Sequence, residues 1–113
     1  MRAARFLECL RAQLEGNRRI FALAQEEGCE ADRGNAQGIV EIHRYREEIF
    51  FELASLQEEV TQLYSRLKSD EREIVRERLK EVRKEIESVV REVLMLDAGN
   101  AKKVEQMRDA ILE

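Results

Sequence analysis

A chain of 113 residues fits one domain, and with no proline, five glycines and 39% charged residues it has little from which to build a sheet with tight turns. Its net charge of −4 arises from interleaved acids and bases, so no block of one sign offers a field to nucleic acid or to an acidic membrane surface. No run approaches the ~18 consecutive apolar residues of a membrane span, and the Glu, Lys, Arg, Gln, Leu and Ala that dominate are the residues of long helices.

The first helix is expected over residues 2–32, because Ala3, Leu7, Leu10, Leu14, Asn17, Phe21 and Ala24 recur at alternating spacings of four and three and so fall on one stripe. Its opening, MRAARFLECLRAQLEGN, is broken by charge too early for the apolar core of a signal peptide, which points to a cytoplasmic protein. Cys9 and Cys29 lie on this one helix, about 30 Å apart at ~1.5 Å per residue, so they cannot pair within it and remain thiols in a reducing compartment. Gly34 supplies the left-handed residue that closes the helix, and the Asn35 side chain caps the next. So short a turn makes the two helices antiparallel.

The second helix is expected over residues 36–68. Ile39, Ile42, Arg46, Ile49, Leu53, Leu56, Val60, Leu63 and Leu67 keep the three-four alternation throughout, with Arg46 alone departing from apolar character. Phe51 lies about 200° from Ile49 at 100° per residue and is either a contact to a third element or an exposed anchor. His43 and Glu47 share a face, but two ligands do not make a metal site, and a lone histidine excludes the paired Glu-x-x-His of a di-iron bundle. Neither cysteine has a local base and there is no glycine-rich phosphate loop. The sequence therefore offers no catalytic residue, no metal site and no cofactor.

The third helix is expected over residues 70–112, opened by Asp70 and Glu73 at capping-box spacing. Val75, Leu79, Val82, Ile86, Val89, Val93, Leu96, Asn100, Met107 and Ile111 form its stripe, while in EIVRERLKEVRKEIE each arginine has glutamates at helical spacing, as on a solvated face. Three such stripes need one another for burial. The expected fold is all-α, an antiparallel up-down-up three-helix bundle of long, coiled-coil-like helices with the third longest. Asn17, Arg46 and Asn100, polar residues on the seams, either set register or recognise a partner.

The lengths do not match. A third helix starting level with the first reaches the height of Gly34 near Leu96 and Asp97, and DAGNAKKVEQMRDAILE then projects roughly 20 to 25 Å beyond, with a bend allowed at Gly99. Val93, Leu96, Asn100, Val104, Met107 and Ile111 are accordingly the expected partner-binding residues, on an apolar face the monomer leaves uncovered. Just before them VVREVLML is apolar on more than one side, with Val90 and Leu94 flanking the stripe. Either the third helix sits in the crook of the other two, or an intermolecular groove lies there.

FLECLRAQLEGNRRIFALAQEE, RGNAQGIVEIHRYREEIFFELASLQEE and LMLDAGNAKK together resemble the FlgN family of flagellar export chaperones and the related FliT type, along most of the chain. LMLDAGNAKK is similar to the family's Leu-x-Leu-Asn-x-x-Asn segment, with Asp97 at the first Asn and Asn100 at the second. Asn35 stands where the family's turn usually has Asp, and Gly38 and Gly99 fall where it tends to avoid glycine. The resemblance implies a cytosolic chaperone that holds the amphipathic terminal helix of a hook-filament junction protein, prevents its self-association and delivers it for secretion. A coiled-coil homodimer and an adaptor sequestering another helical protein are the alternatives.

Overall fold

The computed structural model describes residues Arg2–Leu112. Three helices follow one another, α1 (Arg2–Asp32), α2 (Ala36–Arg66) and α3 (Ser69–Leu112), in an up-down-up arrangement with α3 the longest. The turns between them are built from local chemistry. Gly34, at φ +69°, closes α1 in a Schellman arrangement, its N–H donating to the Ala31 carbonyl and that of Asn35 to the Glu30 carbonyl. Asn35 then caps α2, its side-chain oxygen accepting from the Gly38 N–H at 3.1 Å while its amide donates to Glu30 at 2.6 Å. At the other end only Leu67 and Lys68 separate α2 from α3, and Glu71, rather than Glu73, accepts from the Lys68 N–H, with acids at the first turn facing the positive end of the dipole.

The three helices are not equivalent. α1 lies in the middle and packs against both others, while α2 and α3 meet each other only weakly. The third helix therefore does not occupy the crook of the first two. Because α1 has two partners, its buried face is wider than the single stripe read from the sequence: Phe6, Cys9, Gln13, Gly16, Ile20, Glu27 and Ala31 are buried alongside Ala3, Leu10, Leu14 and Ala24. Two glycines set how closely the partners approach. A Cβ on Gly16 would stand 2.7 Å from Leu53 of α2, and one on Gly28 would stand 2.9 Å from Asn100 of α3.

The core is uneven along its length. Near the Leu67 turn, Ala3, Phe6, Cys9, Leu10, Leu14, Val60, Leu67, Val75 and Val82 form a continuous apolar cluster, whereas toward Gly34 only Ile20, Ile49 and Val93 form a second. Each fully buried Val, Leu, Ile or Phe contributes about 1.5–3 kcal/mol of transfer free energy, so the first cluster dominates the burial that holds the bundle.

The register of α3 corrects the expected overhang. Arg2 donates to the Arg66 carbonyl, and the chain descends through Leu67 and Lys68 before α3 begins, so α3 starts below the first residue of α1 rather than level with it. Asn100 in consequence meets Ala24, and Lys103 reaches the Asp32 carboxylate at 3.0 Å. Met107 is still half-buried, and only the last turn projects, with Ile111 and Leu112 81% and 77% exposed. Nor is there a bend at Gly99. A helix of 44 residues spans about 65 Å at ~1.5 Å per residue, and the molecule is 64 Å long.

Candidate functional site

With α1 between them, α2 and α3 splay apart and leave a long groove whose floor is α1. One end is lined by Leu10, Gln13 and Asn17 of α1, by Phe50, Leu53, Gln57 and Val60 of α2, and by Arg83, Ile86 and Glu87 of α3. The other end is a wider cavity of about 690 Å³, lined by Glu27, His43, Arg46, Glu47, Phe50, Asp97, Ala101, Val104, Glu105 and Arg108. Phe50 borders both, so the two cavities adjoin along the same pair of walls. From Arg83 to Arg108 the α3 wall runs about 37 Å at ~1.5 Å per residue.

Helical phase shows what the wall between these two ends presents. At 100° per residue Arg83, Val90, Leu94, Ala101 and Arg108 fall within about 20° of one direction, and Arg83, Ala101 and Arg108 all line the groove. Val90 and the 63% exposed Leu94 therefore face it too. The residues of α3 that meet α1, among them Val75, Val82, Val93 and Asn100, lie about 90° away and are buried.

This geometry sorts the six expected partner-binding residues. Val93 and Asn100 are internal and have no surface to offer, Asn100 donating to the Ala24 carbonyl at 2.9 Å. Leu96 and Met107 are half-buried on the side of α1, and only Val104 lines the groove. Ile111 stands on the projecting turn. The correction has one cause: a stripe in phase with its own bundle is by necessity the covered one, and the uncovered face is the adjacent one.

The polar seam residues have internal partners. Asn17 donates to the Gln13 carbonyl at 2.9 Å, and Gln13 donates to Gln57 across the α1/α2 contact at 2.9 Å. Arg46 of α2 crosses the floor of the groove to Asp97 of α3 with two parallel hydrogen bonds of 2.8 and 2.9 Å, the bidentate geometry that makes arginine-carboxylate pairs directional. These bonds raise the Arg46 pKa above its already high usual value against the opposing effect of burial. The guanidinium also lies 5.9 Å from the centre of the Phe50 ring. Arg46 and Asp97 thus tie the two outer helices together at floor depth.

Beside this clasp sits Glu27 of α1, its side chain only 7% exposed. Its Oε1 is ion-paired with His43 Nε2 and lies 3.6 Å from Arg46 Nη1. Sequence reasoning missed Glu27, Phe50 and the groove itself. The signal was present as a second set of seven-residue spacings: Phe6, Gln13, Ile20 and Glu27 on the first helix, and His43, Phe50, Gln57 and Tyr64 on the second.

The rest of the surface offers fewer constellations. Phe51, 80% exposed, stands beside Phe50 on the outer flank of α2. Among the described residues no three potential metal ligands converge, and no helix is long and apolar enough to cross a membrane. Cys9 is buried and Cys29 exposed, and burial pushes the Cys9 thiol above its ordinary range, with the nearby Glu59 charge adding to the effect. No protein-family model, curated protein or solved structure matches the chain.

Proposed function

We propose that this chain is a non-catalytic, helix-binding chaperone of the FlgN type, acting in the cytoplasm to hold the amphipathic terminal helix of a hook-filament junction protein before export. The observation that carries the reading is the groove between α2 and α3, with apolar groups on its floor and both walls and a length of about 37 Å, which suits an occupant of 20 to 25 helical residues. A helix laid there presents apolar anchors every three or four residues to Phe50, Val90, Leu94 and Val104, the helix-in-groove mode of recognition. Burying those anchors keeps the client from associating with itself. The resemblance of FLECLRAQLEGN and LMLDAGNAKK to the family supplies the identity of the client class, and the groove supplies the means.

The test is fluorescence anisotropy with a labelled peptide spanning the terminal helix of a junction protein. Val90→Asp with Leu94→Asp is expected to preserve the helical circular dichroism and to weaken capture at least tenfold, a loss of about 1.4 kcal/mol. Ile111→Asp, on the projecting turn, is expected to leave capture unchanged. Wild-type capture by the double variant would remove the groove from consideration. The competing reading, a homodimer closed over the same apolar strip, is separated by light scattering, where a stable dimer mass at micromolar concentration would favour it.

A further inference from the structure

Resting on the reading of the groove as a helix-binding site, we infer that its occupant carries a lysine or arginine on the edge of its apolar face, and that Glu27 is the group that selects it. The wide end of the groove holds four carboxylates, Glu27, Glu47, Asp97 and Glu105, against the two arginines Arg46 and Arg108. Arg46 is committed to Asp97 through two short hydrogen bonds, which leaves its 3.6 Å approach to Glu27 as the longer of its contacts. Arg108 lies 3.9 Å from Glu105 and 3.7 Å from Asp109, at the rim. Glu27 is thus a carboxylate withdrawn from water and lining a cavity, its Oε1 held by the largely exposed His43 imidazole and only at longer range by Arg46.

A buried carboxylate whose nearest partner is an imidazole, charged only when protonated, is incompletely compensated, and a permanent cation brought to it in a site from which water is excluded returns more than the same pair would at the surface. His43 covers Glu27 from the α2 side, and its side chain is 59% exposed. An incoming ammonium or guanidinium displaces the imidazole toward solvent and takes the oxygen it was resting against. The neighbouring Phe50, Ala101 and Val104 pack on the aliphatic stem of such a side chain, which is how long basic residues bury their carbons while keeping the charged head polar. An all-apolar helix would fill the same groove and leave Glu27 as it is. Recognition of a basic residue therefore adds specificity to a groove whose remaining contacts discriminate weakly among greasy helices.

A displayed library of 20-residue helices, with leucines fixed at three-four spacing and one edge position of the apolar face randomised, tests this on the full chain. Selection on the wild type is expected to enrich lysine and arginine at that position at least tenfold over leucine and glutamine. Selection on Glu27→Gln is expected to return binders without that enrichment, and His43→Ala, which uncovers the carboxylate, to keep or increase it. Binders with no cationic preference on the wild type would overturn the inference while leaving the groove as a helix site. Failure to recover any binder would overturn both. Should Glu27→Gln lose its helical circular dichroism, the wild-type and His43→Ala selections decide alone, and loss of the preference in His43→Ala would also overturn the role of Glu27.

Discussion

The two halves of the bundle are held together by different chemistry. Around Phe6, Val75 and Val82 the helices meet through side chains that are almost wholly carbon and fully buried. Toward Gly34 the same three helices meet through Arg46 and Asp97, Asn100 and the Ala24 carbonyl, and Lys103 and Asp32. The first kind of contact is non-directional and contributes most of the stability. The second kind contributes less net free energy per contact but is directional, and it sets which residue of α3 stands beside which residue of α1. The groove widens where the directional contacts take over, so the end that offers a binding site is also the end with less apolar burial beneath it.

The largest effect that would sharpen this contrast is Phe6→Ala. Emptying the best-buried large side chain of the apolar half is expected to cost about 3–5 kcal/mol and to lower the whole unfolding transition, read by chemical denaturation. Should the loss stay under about 1 kcal/mol, the dominance of that half would be wrong. Next comes Asp97→Ala, which leaves Arg46 with Glu27 alone. Because Asp97 is about one-third exposed, the expected cost is reduced to roughly 1–2 kcal/mol. Its signature is local: amide exchange is expected to quicken around Arg46 and Asp97 while Phe6 and Val75 stay protected. Asn100→Ala removes one hydrogen bond to a backbone carbonyl, with an expected cost of about 1 kcal/mol, and is expected to loosen the same half.

The smallest effect concerns the thiols. Iodoacetamide at neutral pH is expected to modify exposed Cys29 and to spare Cys9, which mass spectrometry of the labelled chain reads directly. The sign of the pH dependence follows from the raised Cys9 pKa. In the unfolded chain the thiol ionises in its ordinary range while in the bundle it stays protonated, so stability is unaffected below that range and declines as the pH climbs through and beyond it. Cys9→Ala removes that alkaline decline, and an unchanged alkaline profile in the variant would show that other groups cause it.

Periodicity alone was enough to define three long helices, their antiparallel order and the residues that close and cap them, because three-four spacing, Gly34 and Asn35 act within a few residues of one another. The start of α3 is less well defined by spacing, since Glu73 with Asp70 and Glu71 with Lys68 both stand three residues apart, and only the actual first helical residue, Ser69, gives the role to Glu71. Which helix stands in the centre could not be read locally. An amphipathic stripe says that a face is buried without saying how many neighbours bury it, and the second stripe of α1, with Phe6, Gln13 and Glu27, becomes core only because α2 and α3 flank it on either side. The height of α3 likewise followed from where the chain emerges after Leu67 and Lys68, which placed Asn100 at Ala24 and turned an expected binding face inward. The tertiary arrangement therefore decided the site: a groove is the space two helices leave when a third separates them, and that separation is a property of packing rather than of any one segment.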